Sequence, residues 1–367
     1  MKNVMRLLSG DCAKANLLMV LVLVLTVLLS GCSTIQFYAQ GVVGHSRLML
    51  ARVPLDKAIE QGDQAQRQML EKVKPILDFA ATEIGLPIKG SYNSYVPLDR
   101  DYPVYVVTAA PEFSLEARQW CYLVIGCASY RGYFNHDKAL RYAKSLQQAE
   151  YLDVYVRGAN AYSTLGWFDD PILPSMLRFG EVYLAELLFH ELTHQKVYLS
   201  GDTDFNEALA SAVAEIATVK WLFHKAATEG LQPTTIEEYR QALEMREDFD
   251  ELIAMHKTRL QTLYDTVSVE ALNSDVLSEK RAAKQELNTQ LIADYQALKS
   301  AKWNGDNRYD NWFSEPVNNA RLSGISSYRT NVAVFKAMYT NCGNDFARFF
   351  EFLEGLQPGQ APTANCR

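Results

Sequence analysis

His190-Glu191-Leu192-Thr193-His194, followed by Asn206-Glu207-Ala208-Leu209-Ala210, is the stretch that most narrows what this chain can become. In an α-helix, residues four apart share a face. His190 and His194 can therefore offer two imidazole nitrogens to one tetrahedral cation such as Zn²⁺. Glu191 falls about 100° round the same helix, beside that cation rather than on it. There its carboxylate can accept a proton from an activated water. A third protein ligand leaves the fourth position open for catalysis. Glu207 is the expected third ligand, with Glu215 as the substitute. Zinc-dependent hydrolysis of a peptide bond is the chemistry this pattern suits.

The surrounding residues favour helices. Glu181 to Tyr198 contains neither Pro nor Gly, and Leu184, Leu187, Leu188 and Leu192 give it an apolar side at helical spacing. Ser200-Gly201-Asp202 reads as a stop and turn. Asp204-Phe205-Asn206-Glu207 opens the next helix, whose small residues from Ala208 to Val219 permit close packing. Only 12 residues separate His194 from Glu207, enough for a helix end, a tight loop and the first turn of a returning helix. Glu207 also has a purely structural explanation, as the last residue of a capping box with Asp204 as N-cap.

The His-Glu-x-x-His and Asn-Glu-x-x-Ala pair resembles the gluzincin metallopeptidases, the group that contains thermolysin and the zinc aminopeptidases. The runs Ala161-Tyr-Ser-Thr-Leu-Gly-Trp-Phe-Asp-Asp-Pro171, Phe189-His-Glu-Leu-Thr-His-Gln195 and Gly201-Asp-Thr-Asp-Phe-Asn-Glu207 look more specifically like the bacterial zinc aminopeptidase lipoproteins. With Gly126-Cys-Ala-Ser-Tyr-Arg-Gly-Tyr-Phe134, the similarity spans nearly the whole mature chain. The resemblance implies removal of single N-terminal residues from peptides. It also implies a small mixed sheet beside the zinc helices and a downstream Tyr or His that donates to the oxyanion. Tyr328 matches that last placement. Two features depart from better-known gluzincins. The interval before the third ligand is short, and Ser211 stands where a carboxylate would orient a ligating His, leaving Glu186 or Asp170 to do so. An aminopeptidase further needs a carboxylate for the substrate's amine, for which Glu181, Glu186, Asp169 and Asp170 are equal candidates.

Residues 1–31 read as a lipoprotein signal peptide. Lys2, Arg6 and Lys14 precede an apolar run from Leu17 to Leu29, too short to span a bilayer comfortably. Leu29-Ser-Gly-Cys32 resembles a lipobox, so Cys32 is expected to carry acyl chains that anchor the protein to a membrane. Ser33 after it resembles outer-membrane sorting in Gram-negative bacteria, placing the chain on the periplasmic face. Removing Lys2, Arg6, Lys14 and Asp11 with the leader takes the net charge from −7 to −9, which argues against nucleic acid as a partner. Cys121, Cys127, Cys342 and Cys366 remain in an oxidising compartment, and four cysteines allow three pairings. Cys121 with Cys127 and Cys342 with Cys366 is the simplest.

The rest sets the fold class. Gln36 to Ile84 reads as helices. Tyr102–Ala110, Cys127–Phe134 and Tyr151–Val156 read as strands, with Asp137–Ala149 helical between the last two. Tyr162 to Gly166 is the expected edge strand for a substrate peptide. Glu237–Tyr264 and Asp275–Ser300 suggest a long helical hairpin. The whole is expected to be an α+β, mainly helical protein, with residues 32–367 a single zinc peptidase domain and 225–310 a helical insertion. The competing reading is a non-catalytic envelope scaffold or binding lipoprotein with a structural or vestigial zinc site. Glu191 speaks against it, because a structural site has no use for a proton acceptor.

Overall fold

Two long helices joined by a short loop occupy the middle of the chain. The computed structural model describes residues 35–122, 126–150, 152–164, 166–266, 274–325, 329–355 and 365–366. Cys32, Tyr328 and the signal segment lie outside these residues. The chain divides into two units, one ending at Ala51 and one running from Arg52 to Arg367. The described part of the first is a helix over residues 35–50 (α1). No described helix is long and apolar enough to cross a membrane.

The second unit opens with β1 (Val53–Pro54), α2 (Leu55–Gln61), α3 (Gln64–Leu70) and α4 (Val73–Phe79), the last prolonged by a π-helical turn over Ala80–Ile84. β2 (Ser94–Tyr95) pairs with β1. Then come β3 (Val104–Pro111), β4 (Trp120–Tyr122), β5 (Gly126–Ala128), β6 (Arg131–Tyr133), α5 (His136–Glu150) and β7 (Leu152–Ala159). β3 lies between β6 and β7 and pairs antiparallel with both. The sheet expected to be mixed is therefore antiparallel. The single strand expected over Cys127–Phe134 is two pieces. β5 pairs with β4 in a separate hairpin, in which Cys121 faces Cys127 and is disulfide-bonded to it, and only β6 joins the sheet.

Tyr162 to Gly166 is not an edge strand in its described residues. The buried Asp170 carboxylate accepts from both the backbone N–H and the hydroxyl of Thr164, at 3.0 and 2.7 Å, and Gly166 takes a left-handed φ of 77°. Local side-chain hydrogen bonds of this kind compete with a strand ladder. The edges of the sheet are β6 and β7 instead.

Helices make up the remainder: α6 (Pro174–Leu177), α7 (Gly180–Lys196), α8 (Thr203–Glu229), α9 (Pro233–Tyr264), α10 (Ser274–Ala301), α11 (Asp310–Phe313), α12 (Asn319–Ser323), α13 (Arg329–Asn341) and α14 (Phe346–Glu354). The protein is thus α+β and mainly helical, as the periodicity of its sequence implies. On α8, Ala208, Leu209, Ala210, Ala212, Val213, Ala214 and Ala217 are all buried, letting α7 and α13 approach closely. The hairpin of α9 and α10 closes over its own core of Phe249, Leu252, Ile253, Leu260, Leu291 and Tyr295. His256, buried in that hairpin, bonds Asn288 at 3.1 Å, and His224 stacks on Trp221. Both are structural. Cys342 and Cys366 form the second disulfide.

Candidate metal centre

The loop between α7 and α8 is what brings the motif together. α7 ends at Lys196, and Gly201 turns the chain with a φ of 85°, a left-handed value that favours glycine. Asn206 then locks the loop. Its side-chain carbonyl accepts from Leu199 N at 2.8 Å and its amide donates to Leu199 O at 2.7 Å. The cap of α8 is Asp202, whose carboxylate accepts from Phe205 N at 3.0 Å, rather than the expected Asp204. Glu207 therefore completes no capping box with Asp204, and its structural explanation falls away.

Its side chain instead reaches the two imidazoles. The Nε2 atoms of His190 and His194 stand 3.2 Å apart, with the rings nearly perpendicular at 87°. Glu207 places Oε2 3.3 Å from His190 Nε2 and Oε1 3.7 Å from His194 Nε2. The three residues form a group whose ligand atoms all lie within 4.8 Å of one another and could hold a metal ion. Bonds of about 2.0–2.1 Å in a tetrahedron put donors about 3.3 Å apart, so the donor set fits a zinc-sized cation. Glu215 lies elsewhere, with Arg246 at 3.1 Å and Lys336 at 2.5 Å, and is not part of this group.

The electrostatics of the ion-free group suit ligation. Burial pushes the Glu207 carboxyl up, but the hydrogen bond from His190 and the charges of both imidazoles outweigh it and hold it at about 2. Burial, with the neighbouring His190, lowers His194 to about 4. Burial also works against a charged His190, yet its bond to Glu207 and the charges of Glu191 and Glu207 win, raising it above the ordinary 6.5. Glu191 stands beside the group. Burial first, then the charges of Glu207 and Asp170, push its carboxyl up to about 7, against the opposing effects of His190 and of a hydrogen bond from Ser163. It is a carboxyl poised to exchange a proton close to neutral pH.

The other expected residues have structural partners. Glu181 is paired with the buried Lys225 and lies 3.7 Å from Lys72. Glu186 bonds Arg246 at 2.5 Å and accepts from the Tyr239 hydroxyl at 3.1 Å. Asp170 holds Thr164, while Asp169 is exposed and its backbone carbonyl accepts from Arg52. The Arg131 guanidinium sits over the Tyr142 ring at 4.6 Å. Several neighbours of the centre were not singled out individually by the sequence. Ser163 bonds Glu191, and Tyr130, Tyr198 and Arg157 are near enough to Glu207 to interact with its charge.

The fold and site together define a mainly helical α+β protein with a partly buried His-His-Glu group that could hold a metal ion and a carboxyl alongside. The chain belongs to the family described as "Putative aminopeptidase", whose sequence profile matches residues 36–365. That membership supports peptide hydrolysis with a peptide as substrate. No curated protein and no solved structure matches the chain.

Proposed function

We propose that this protein is a zinc-dependent peptidase of gluzincin type that removes residues from the free N-termini of peptides. We also propose that it is held by acyl chains on Cys32 at the periplasmic face of a Gram-negative outer membrane. The convergence of His190, His194 and Glu207, with Glu191 beside them, carries the reading. Zn²⁺ bound by those three side chains would supply a Lewis acid for the scissile carbonyl and lower the pKa of a nearby water toward about 7. Glu191 takes the proton of the attacking water and later passes it to the leaving amine. Ser163, bonded to Glu191, holds that carboxylate in place. Tyr328 is proposed as the donor to the oxyanion on family resemblance alone.

Zinc content and peptide hydrolysis, measured on wild type and Glu191→Gln, test this. The variant is expected to keep its metal and lose about 10²–10⁴-fold in turnover. Peptides with a free amine should be cut and their N-acetylated forms spared. Cleavage of both makes the enzyme an endopeptidase, and zinc binding without hydrolysis of any member of a broad peptide library makes it a scaffold.

A further inference from the structure

Beneath the metal group lies a second set of charges that the reaction does not use. Glu186 is on α7, one turn before His190, and Glu215 is on α8, two turns beyond Glu207. One nitrogen of Arg246, from α9, contacts both, at 2.5 Å from Glu186 Oε1 and 3.1 Å from Glu215 Oε1. The second oxygen of Glu186 accepts from the Tyr239 hydroxyl at 3.1 Å. The second oxygen of Glu215 lies 2.5 Å from Lys336 on α13, which also reaches Glu247 at 3.3 Å. We propose that Glu186, Glu215, Arg246 and Lys336 position the metal group by fixing the register of α7 against α8. This proposal rests on the metal reading above.

Cohesion does not require these charges. Glu215 is 1 % exposed, among alanines and other apolar residues of α8 that already pack tightly. Burying ions there costs several kcal/mol each by general estimates, and a well-packed apolar pair often holds helices as firmly. A charge-assisted contact adds direction. Alanine-rich faces can slide past one another by fractions of an ångström at little cost. A guanidinium shared between one carboxylate on each helix has a single good placement. The donors come from both sides of that sliding interface, two imidazoles on α7 and one carboxylate on α8, and a metal site tolerates only about 0.5 Å of error. Burial acts to lower the Arg246 pKa, but Glu186 and Glu215 raise it overall, so the guanidinium stays charged at any physiological pH.

Co²⁺ reports on this directly, through its affinity in competition with a chelator and through its d–d absorption, without any peptide. Arg246→Met alone leaves the part-buried Glu186 and the buried Glu215 without their shared partner, so a loss of folding would confuse the reading. The informative protein is the full chain carrying Glu186→Gln, Glu215→Gln and Arg246→Met together. It is expected to melt close to wild type, yet to bind Co²⁺ about 10–100-fold more weakly with shifted bands. Glu186→Gln alone, which keeps the tie to Glu215, is expected to move both readouts in the same direction and stands in if the triple variant does not fold. Arg259→Met, which is on α9 like Arg246 but breaks a pair with Asp294 on α10, should leave both unchanged. Wild-type affinity and spectrum in the triple variant would overturn the positioning role and leave a merely structural cluster. A wild type that takes up no Co²⁺ would overturn the metal reading first, and this role with it.

Discussion

His190 keeps its proton above the ordinary imidazole value of 6.5, while Glu207 surrenders its own at about 2. The two shifts have opposite signs in pH. The raised His190 contributes stability that is present below 6.5 and is lost as the pH rises through the folded value. The depressed Glu207 contributes stability present above 4.5 and lost as the pH falls through about 2. Under the proposed function, a metal ion entering this group would displace the His190 proton. On the acid side of 6.5, calorimetric titration in buffers of different ionisation heat should show protons released as the ion binds, with affinity falling as the pH drops. His190, His194 and Glu191 were legible because helical spacing is a local rule that the sequence states outright. Ser163 was not, since its bond to Glu191 joins residues far apart in the chain. The cap of α8 was misread for a subtler reason. Asp202 and Asp204 are both good caps, and the turn at Gly201 decides which carboxylate reaches an open N–H.

Among the elements, the six-residue loop over 197–202 between α7 and α8 governs the site more than either helix does. Asn206→Ala would leave the N–H and C=O of Leu199 without their partner. Urea unfolding should show a loss of about 1–3 kcal/mol. Metal affinity should fall as well, because Glu207 is the next residue. The hairpin of α9 and α10 was visible in the sequence as two charged helical runs, but its purpose was not. The structure gives it contacts at two ends. Arg246 reaches the metal helices, and Lys284 reaches Asp153 on β7 at 2.8 Å together with the carbonyl of Glu112 at 2.7 Å. A charge run such as Glu244-Met-Arg-Glu-Asp248 looks the same whether solvated or buried, and only the tertiary partner tells them apart. The Tyr162–Gly166 segment failed as a strand for a similar reason. Its β-favouring residues were legible, but the capture of Thr164 by the Asp170 carboxylate six residues on was not.

At the scale of the whole molecule, the class was the most legible feature, since helical and strand periodicities are each local and their proportions sum directly. The pairing of β6, β3 and β7 was less so, because it joins strands by contacts that no window of sequence contains. Attachment to a membrane is proposed from Leu29-Ser-Gly-Cys32 and can be tested on the full chain. Cys32→Ser should move the protein from the detergent-extracted membrane fraction into the soluble periplasmic one, detected by fractionation and by loss of labelled palmitate. An unaltered distribution would remove the anchor from this account.

Four donors and acceptors on two helices, joined through a pinned loop and a shared guanidinium, have a consequence for how such a centre is filled. In a zinc finger the cation organises the polypeptide, and stripping it unfolds the domain. Here the scaffold is built from alanine-rich packing that involves no cation, so the cradle exists before its occupant arrives. Chelation should leave the far-ultraviolet circular dichroism unchanged, and reloading should be limited by diffusion and proton release rather than by refolding. Emptied protein would then be a reversible reservoir of activity, switched by the supply of metal outside it.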